Sequence, residues 1–201
     1  QFAYARNSGV VPLVRVTGHA YHLIAPLLDA GAMGIMEPMV ETRAQAEELA
    51  AWCRYRPEGR RGVGFGYAHD DYAGLDVRAG MRAENERVMV IPLIETAKGI
   101  DNVEDIMAVP GIDLGWFGHY DLSDSLGITA QFDHPRFQAA LARFLAACAA
   151  QGKPAGVLGA GLDMVRGWRA HGFRCLCYGS DVSVFQSALK GALDQLKTEN
   201  D

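Results

Sequence analysis

Short, continuously apolar runs alternate along this chain with longer segments in which apolar residues recur at helical spacing. The runs at 10–16, 33–39, 88–94, 114–117, 155–158 and 175–178 are apolar at successive positions apart from Arg15 and Glu37, as expected of strands covered on both faces of a parallel sheet. Between them, 19–30, 43–54, 102–108, 135–150, 162–171 and 182–196 read as amphipathic helices, with a shorter helical piece at 77–86 and a helical turn after Asp121. Residues 1–8 read as the tail of a helix terminated by Gly9. Strand and helix in alternation predict an α/β fold with parallel strands and outer helices. The glycine-rich, aromatic passage 59–74 breaks the rhythm and reads as a functional loop, a mobile rim near the substrate.

Six βα repeats can be counted, whereas a closed (β/α)8 barrel needs eight and typically ~250 residues. The expectation is a single domain over 1–201: a (β/α)8 TIM barrel lacking its first two βα units.

Composition narrows the class. With 201 residues, 49% hydrophobic and 21% charged, the chain can bury one sizeable core. The net charge is −5 and the basic residues are scattered, so neither nucleic acid nor an anionic membrane is an expected partner. No apolar run approaches the ~20 residues of a membrane span, and no signal peptide opens the chain. Cys53, Cys148, Cys175 and Cys177 lack disulfide-framework spacing, which points to a reducing cytoplasm. Cys175 and Cys177 share one strand face and read as packing, because zinc would want further ligands.

The candidate chemistry lies where apolar strands stop. The run 88–94 ends at Glu95, the run 114–118 leads through His119 and Tyr120 to Asp121, and the run 10–14 ends at Arg15. Parallel strands open their carboxyl ends on one face, so two acids and a permanent cation should converge there. Two oxygen ligands suit a hard divalent ion such as Mg²⁺ or Mn²⁺, with Co²⁺ a further candidate. Each residue has a plainer reading: Glu95 as a helix cap ahead of Thr96, Arg15 as a salt-bridge partner. Capping alone does not call for two acids and a cation on one face. Amides at Tyr120 and Asp121, at the start of the helical turn, are candidates to hold a substrate carboxylate. None of Lys98, Lys153, Lys190 and Lys197 lies in a predicted strand, which argues against Schiff-base chemistry. His119 is the histidine nearest the acids, and a structural role in the turn is the preferred reading. Gly62-Val63-Gly64-Phe65-Gly66 lacks the ending of a phosphate loop, and His69-Asp70-Asp71 reads as a solvated turn.

Pro12-Leu13-Val14-Arg15, Asp29-Ala30-Gly31-Ala32, Pro38-Met39-Val40, Arg61-Gly62-Val63-Gly64, Ile94-Glu95-Thr96 and Gly118-x-x-Asp121-Leu122-Ser123 occur in the order and spacing of one known family. The chain resembles the HpcH/HpaI aldolases, metal-dependent class II pyruvate aldolases with citrate lyase β-subunits as distant relatives. The resemblance implies Glu95 and Asp121 as metal ligands and Arg15 as stabiliser of developing negative charge. It also implies a hexamer, and an Asp29 that raises the basicity of a histidine carried by the absent second unit. A solvated helix-end acid is the alternative reading of Asp29. Three positions depart from the family pattern: His119 replaces a proline, Leu93 stands where a glutamine occurs, and Glu37 stands where an apolar residue is expected. Glu37 is read as a salt-bridge acid on the outer strand face. The expected function is cleavage or formation of a 4-hydroxy-2-oxoacid from pyruvate, or another 2-oxoacid, and an aldehyde. The alternatives are a related lyase or hydrolase on a pyruvate-like or acyl-CoA substrate, and a non-catalytic barrel subunit.

Overall fold

The computed structural model describes residues 1–74 and 76–198. It divides into two compact units, Gln1–Ala155 and the residues from Gly156 onward. The first opens with α1 (Phe2–Asn7), which ends at Gly9 with φ 74°, the left-handed turn expected there. Then come β1 (Leu13–Arg15), α2 (Tyr21–Asp29), β2 (Gly34–Glu37), α3 (Arg43–Cys53), α4 (Val77–Arg87) and β3 (Met89–Ile94). The unit continues with α5 (Ala97–Asp101), α6 (Val103–Met107), β4 (Gly115–Phe117), α7 (His119–Ser125) and α8 (Pro135–Ala150). β5 (Ala155–Gly159), α9 (Leu162–His171), β6 (Cys175–Tyr178) and α10 (Asp181–Thr198) follow.

Every strand pairing is parallel. In the first unit β1, β2, β3 and β4 lie side by side in chain order, with Val14 opposite Ile35, Ile35 opposite Val90 and Ile94 opposite Phe117. In the second, β5 pairs with β6 through Val157 and Leu176. The α/β class is as expected, but the eight-stranded closed barrel is not what this chain forms. Six parallel strands are present among the described residues, and closing a barrel of that kind takes eight.

Local sequence explains where the elements start. Thr42 and Gln45 form a reciprocal capping box at α3, Asp76 caps α4, and His134 caps α8 ahead of Pro135 at its first turn. β3 is the apolar centre of the first unit: Val90, Ile91 and Ile94 are wholly buried, with Ile24, Leu28, Leu49 and Ile106 from the helices also inaccessible. Burying each such side chain contributes about 1.5–3 kcal/mol. β1 is shorter than the apolar run predicts because Val10 and Val11 lie exposed before it.

The glycine-rich passage corrects a second expectation. It joins the end of α3 to α4, which leads into the amino end of β3, so it lies at the end of the sheet opposite to Glu95. Arg6 of α1 donates to the Ala68 and His69 carbonyls, and Arg61 pairs with Asp29 at 2.7 Å, while Gly62 and Arg60, at the start of the passage, reach back to Tyr21 and Glu48. In this chain it is not a rim beside the carboxyl ends of the strands.

Candidate active site

Glu95 is the first residue after β3 and is buried. The task of capping the next helix falls to its neighbour, since the Thr96 hydroxyl accepts the Gly99 N–H at 3.0 Å at the start of α5. That leaves the Glu95 carboxylate uncommitted to the helix. Its Oε1 instead accepts the backbone N–H of Met39 at 3.0 Å, from the segment just beyond β2. Met39 itself holds φ 56°, a left-handed conformation uncommon outside glycine. The contact was not legible in the sequence, because a peptide N–H carries no side-chain signature.

Asp121 stands in the first turn of α7, which begins directly after β4. It is close enough to share a hydrogen bond with Glu95, and the Arg15 charge at the end of β1 is also felt there. Burial is the main force lifting the Glu95 pKa above its usual value; the Met39 N–H and Arg15 oppose it, while the charge and hydrogen bond of Asp121 add to it. The three strand ends singled out in the sequence therefore meet. Two carboxylates this near each other need a shared proton or a cation between them. Among the described residues no cluster of three or more His, Cys, Asp or Glu side chains suits a metal, so an ion here would rest on these two acids and keep open positions. The donor set fits a hard divalent ion of that kind.

Gly118 makes the approach possible. A Cβ there would lie 2.5 Å from the Glu95 Cβ, 2.8 Å from its Oε2 and 3.1 Å from a Leu93 methyl. Gly118→Ala should lower thermal stability by about 1–3 kcal/mol and weaken stabilisation by added Mn²⁺. An unchanged unfolding temperature with an unchanged Mn²⁺ response would contradict this packing.

The remaining candidates sort by position. Tyr120 is half exposed, and its N–H and that of Asp121 precede the first intrahelical bond of α7, from Leu122 N–H to the Gly118 carbonyl. Ser123 braces this turn, donating to the Tyr120 carbonyl at 2.7 Å and accepting from Ala130 N–H at 2.9 Å. His119 is buried against Tyr120 and Phe132, with ring centroids 4.6 and 5.3 Å away, and burial lowers its pKa despite the pull of Asp121. Asp29 ends α2 and so lies at the amino end of the sheet, ion-paired with Arg61 rather than grouped with Arg15, Glu95 and Asp121. Lys98 pairs with Glu41 at 3.0 Å, and Lys153 donates to the Met107 and Val109 carbonyls.

Residues 1–188 match the family described as HpcH/HpaI aldolase/citrate lyase. The chain is 37% identical over 186 residues to a hydroxypyruvate/pyruvate aldolase of Chromohalobacter salexigens, covering 92% of this chain and 73% of that protein. It is 33% identical over 197 residues to a 5-keto-4-deoxy-D-glucarate aldolase of Shigella dysenteriae, covering 98% and 76%. A crystal structure of an HpcH/HpaI aldolase from Desulfitobacterium hafniense superposes with a TM-score of 0.89 at 29% identity, covering 98% of this chain and 76% of that one. With two strand-end acids and an arginine gathered on one face, the chain belongs to the HpcH/HpaI aldolase/citrate lyase family.

Proposed function

We propose that this aldolase binds pyruvate, or a close 2-oxoacid, at Glu95 and Asp121 through a divalent metal and joins it to, or releases it from, an aldehyde. The observation that carries the reading is the meeting of Glu95 and Asp121 within hydrogen-bonding range beside the Arg15 charge. A bound Mg²⁺ or Mn²⁺ would act as a Lewis acid on the substrate's keto oxygen. Glu95, tied to the Met39 N–H, and Asp121, fixed in the first turn of α7, supply two ligands from rigid elements. Arg15, always protonated, places donors where enolate charge accumulates as the methyl proton leaves. The Tyr120 and Asp121 amides are assigned to the substrate carboxylate. The relatives named above are aldolases for hydroxypyruvate, pyruvate and a keto-deoxy sugar acid, which supports a 4-hydroxy-2-oxoacid as product or substrate and does not favour acyl-CoA chemistry. A homo-oligomer belongs to the same reading: Val182, Phe185, Leu189, Leu193 and Leu196 of α10 leave apolar area exposed that an assembly would cover.

Exchange of the pyruvate methyl protons with solvent tests the proposal without knowledge of the aldehyde. Exchange should be lost on chelation and restored by Mn²⁺ or Mg²⁺; exchange that survives complete removal of metal would sink the metal route. Borohydride with pyruvate should trap no covalent adduct, in keeping with Lys98 and Lys153 being committed to Glu41 and to backbone carbonyls. A trapped adduct would reinstate a Schiff base.

A further inference from the structure

Glu37, the last residue of β2, is wholly buried, and the chemistry above makes no use of it. Its Oε1 lies 2.5 Å from His19 Nδ1, while His19 Nε2 lies 2.9 Å from Glu48 of α3. The His19 ring packs on Trp52 of α3 at 4.6 Å, and Arg60 pairs with Glu48 at 3.0 Å and covers the same tryptophan. This is the outer, helix-facing side of β2. Glu37 Oε2 has no hydrogen-bond partner among the described residues. An acid held this way costs stability, and an apolar residue of similar size would ordinarily pack at least as well.

We infer that Glu37 is a positioning residue of the reaction: clamped through His19 to α3, it fixes the carboxyl ends of β1 and β2 and thereby places Arg15 and the Met39 N–H that holds Glu95. The inference rests on the function proposed above. His19 lies on the short segment between Arg15 and α2, and Glu37 is separated from Met39 only by Pro38. The two strand ends are already joined by Val16 N–H to the Met36 carbonyl at 2.9 Å. The β2 exit has further ties, Glu41 N–H to Gln45 of α3 and Val40 N–H to the Leu93 carbonyl, and the Glu37–His19–Glu48 chain adds the side-chain link that joins the β1 exit to β2 and to α3. Movement of the β2 exit would carry the Met39 amide off Glu95, and movement of the β1 exit would carry Arg15 away from the acid pair.

The groups facing Glu37 are His19, Glu48 with its partner Arg60, and the Cys53 thiol of α3. Burial lifts the Glu37 pKa to about 7 against the opposing pull of His19. Burial alone would lower His19, but hydrogen bonds to Glu48 and Glu37 outweigh it and raise its pKa. Both groups hold their protons more tightly in the folded chain, so their pH-linked contribution to stability is complete only below the ordinary carboxylate range; the Glu37 share is lost as pH rises from there to about 7, and the His19 share as pH rises through its raised pKa.

Glu37→Leu and Glu37→Gln, measured in the Mn²⁺-loaded protein, test the inference through proton-exchange kinetics and thermal unfolding together. Glu37→Leu should unfold at the wild-type temperature or above it, yet show kcat about tenfold lower with KM for pyruvate changed less than about twofold. Glu37→Gln keeps a hydrogen bond to His19 and should recover most of the turnover, while flattening the pH dependence of kcat between about 6 and 8. If the leucine variant does not fold, His19→Phe keeps the stacking on Trp52 and should give the same loss. Wild-type kcat in Glu37→Leu or in His19→Phe overturns the inference alone. Absence of exchange in the wild type overturns it together with the proposed function.

Discussion

Glu95→Ala and Asp121→Ala should each abolish metal-dependent exchange of pyruvate methyl protons, a loss of at least three orders of magnitude that added Mn²⁺ does not reverse. The reason is the size of the ligand set. If two carboxylates hold the ion, losing one would leave a single carboxylate, too weak to compete with bulk hydration of a hard cation. The fold should survive both changes. Glu95 is buried beside another acid, an arrangement that raises its pKa and strains the apo protein, so removing either charge relieves repulsion. Unfolding temperatures equal to or above wild type, alongside lost exchange and lost Mn²⁺ stabilisation, are the expected signature. Near-normal exchange in either variant would remove that residue from the ligand set.

Arg15→Lys should keep the charge and still lose about two orders of magnitude in kcat, with pyruvate KM changed far less. A guanidinium presents several N–H donors in a fixed plane, whereas an ammonium is a point charge on a flexible stem that takes water along with it. Arg15 leaves β1 on the face where Glu95 and Asp121 meet and is itself exposed, so the lysine fits without repacking the core. Stability should therefore change little, separating loss of charge placement from loss of fold. Wild-type turnover in Arg15→Lys would show that a diffuse positive charge is sufficient.

Much of the framework was legible because burial on two faces leaves a plain signature. The run 88–94 contains no polar residue, and its strand is the most enclosed in the first unit. Helix starts at Thr42, Asp76 and Pro135 were equally readable from side chains that act on their own backbone. The meeting of Glu95 with Asp121 followed from one rule about parallel sheets. Groups that pair across long separations, or through the main chain, escaped that reasoning. Asp29 with Arg61, Glu37 with His19, and Glu95 with the Met39 amide depend on tertiary placement that no local spacing encodes. For the glycine-rich passage, composition marks a loop but not the end of the sheet at which it lies. Thr96, the residue after Glu95, carries the helix cap, and a threonine at that position is a signal the sequence displays.

Because a peptide group rather than a side chain steadies Glu95, the identity of residue 39 is chemically decoupled from the acid it supports. The Met39 side chain is 53% exposed and starts from the same residue as that amide. A library at this position would therefore vary an exposed side chain while leaving the anchor intact, with Gly and Asn relaxing the left-handed backbone. Substitution there would change the surface chemistry beside Glu95 without touching the acid itself.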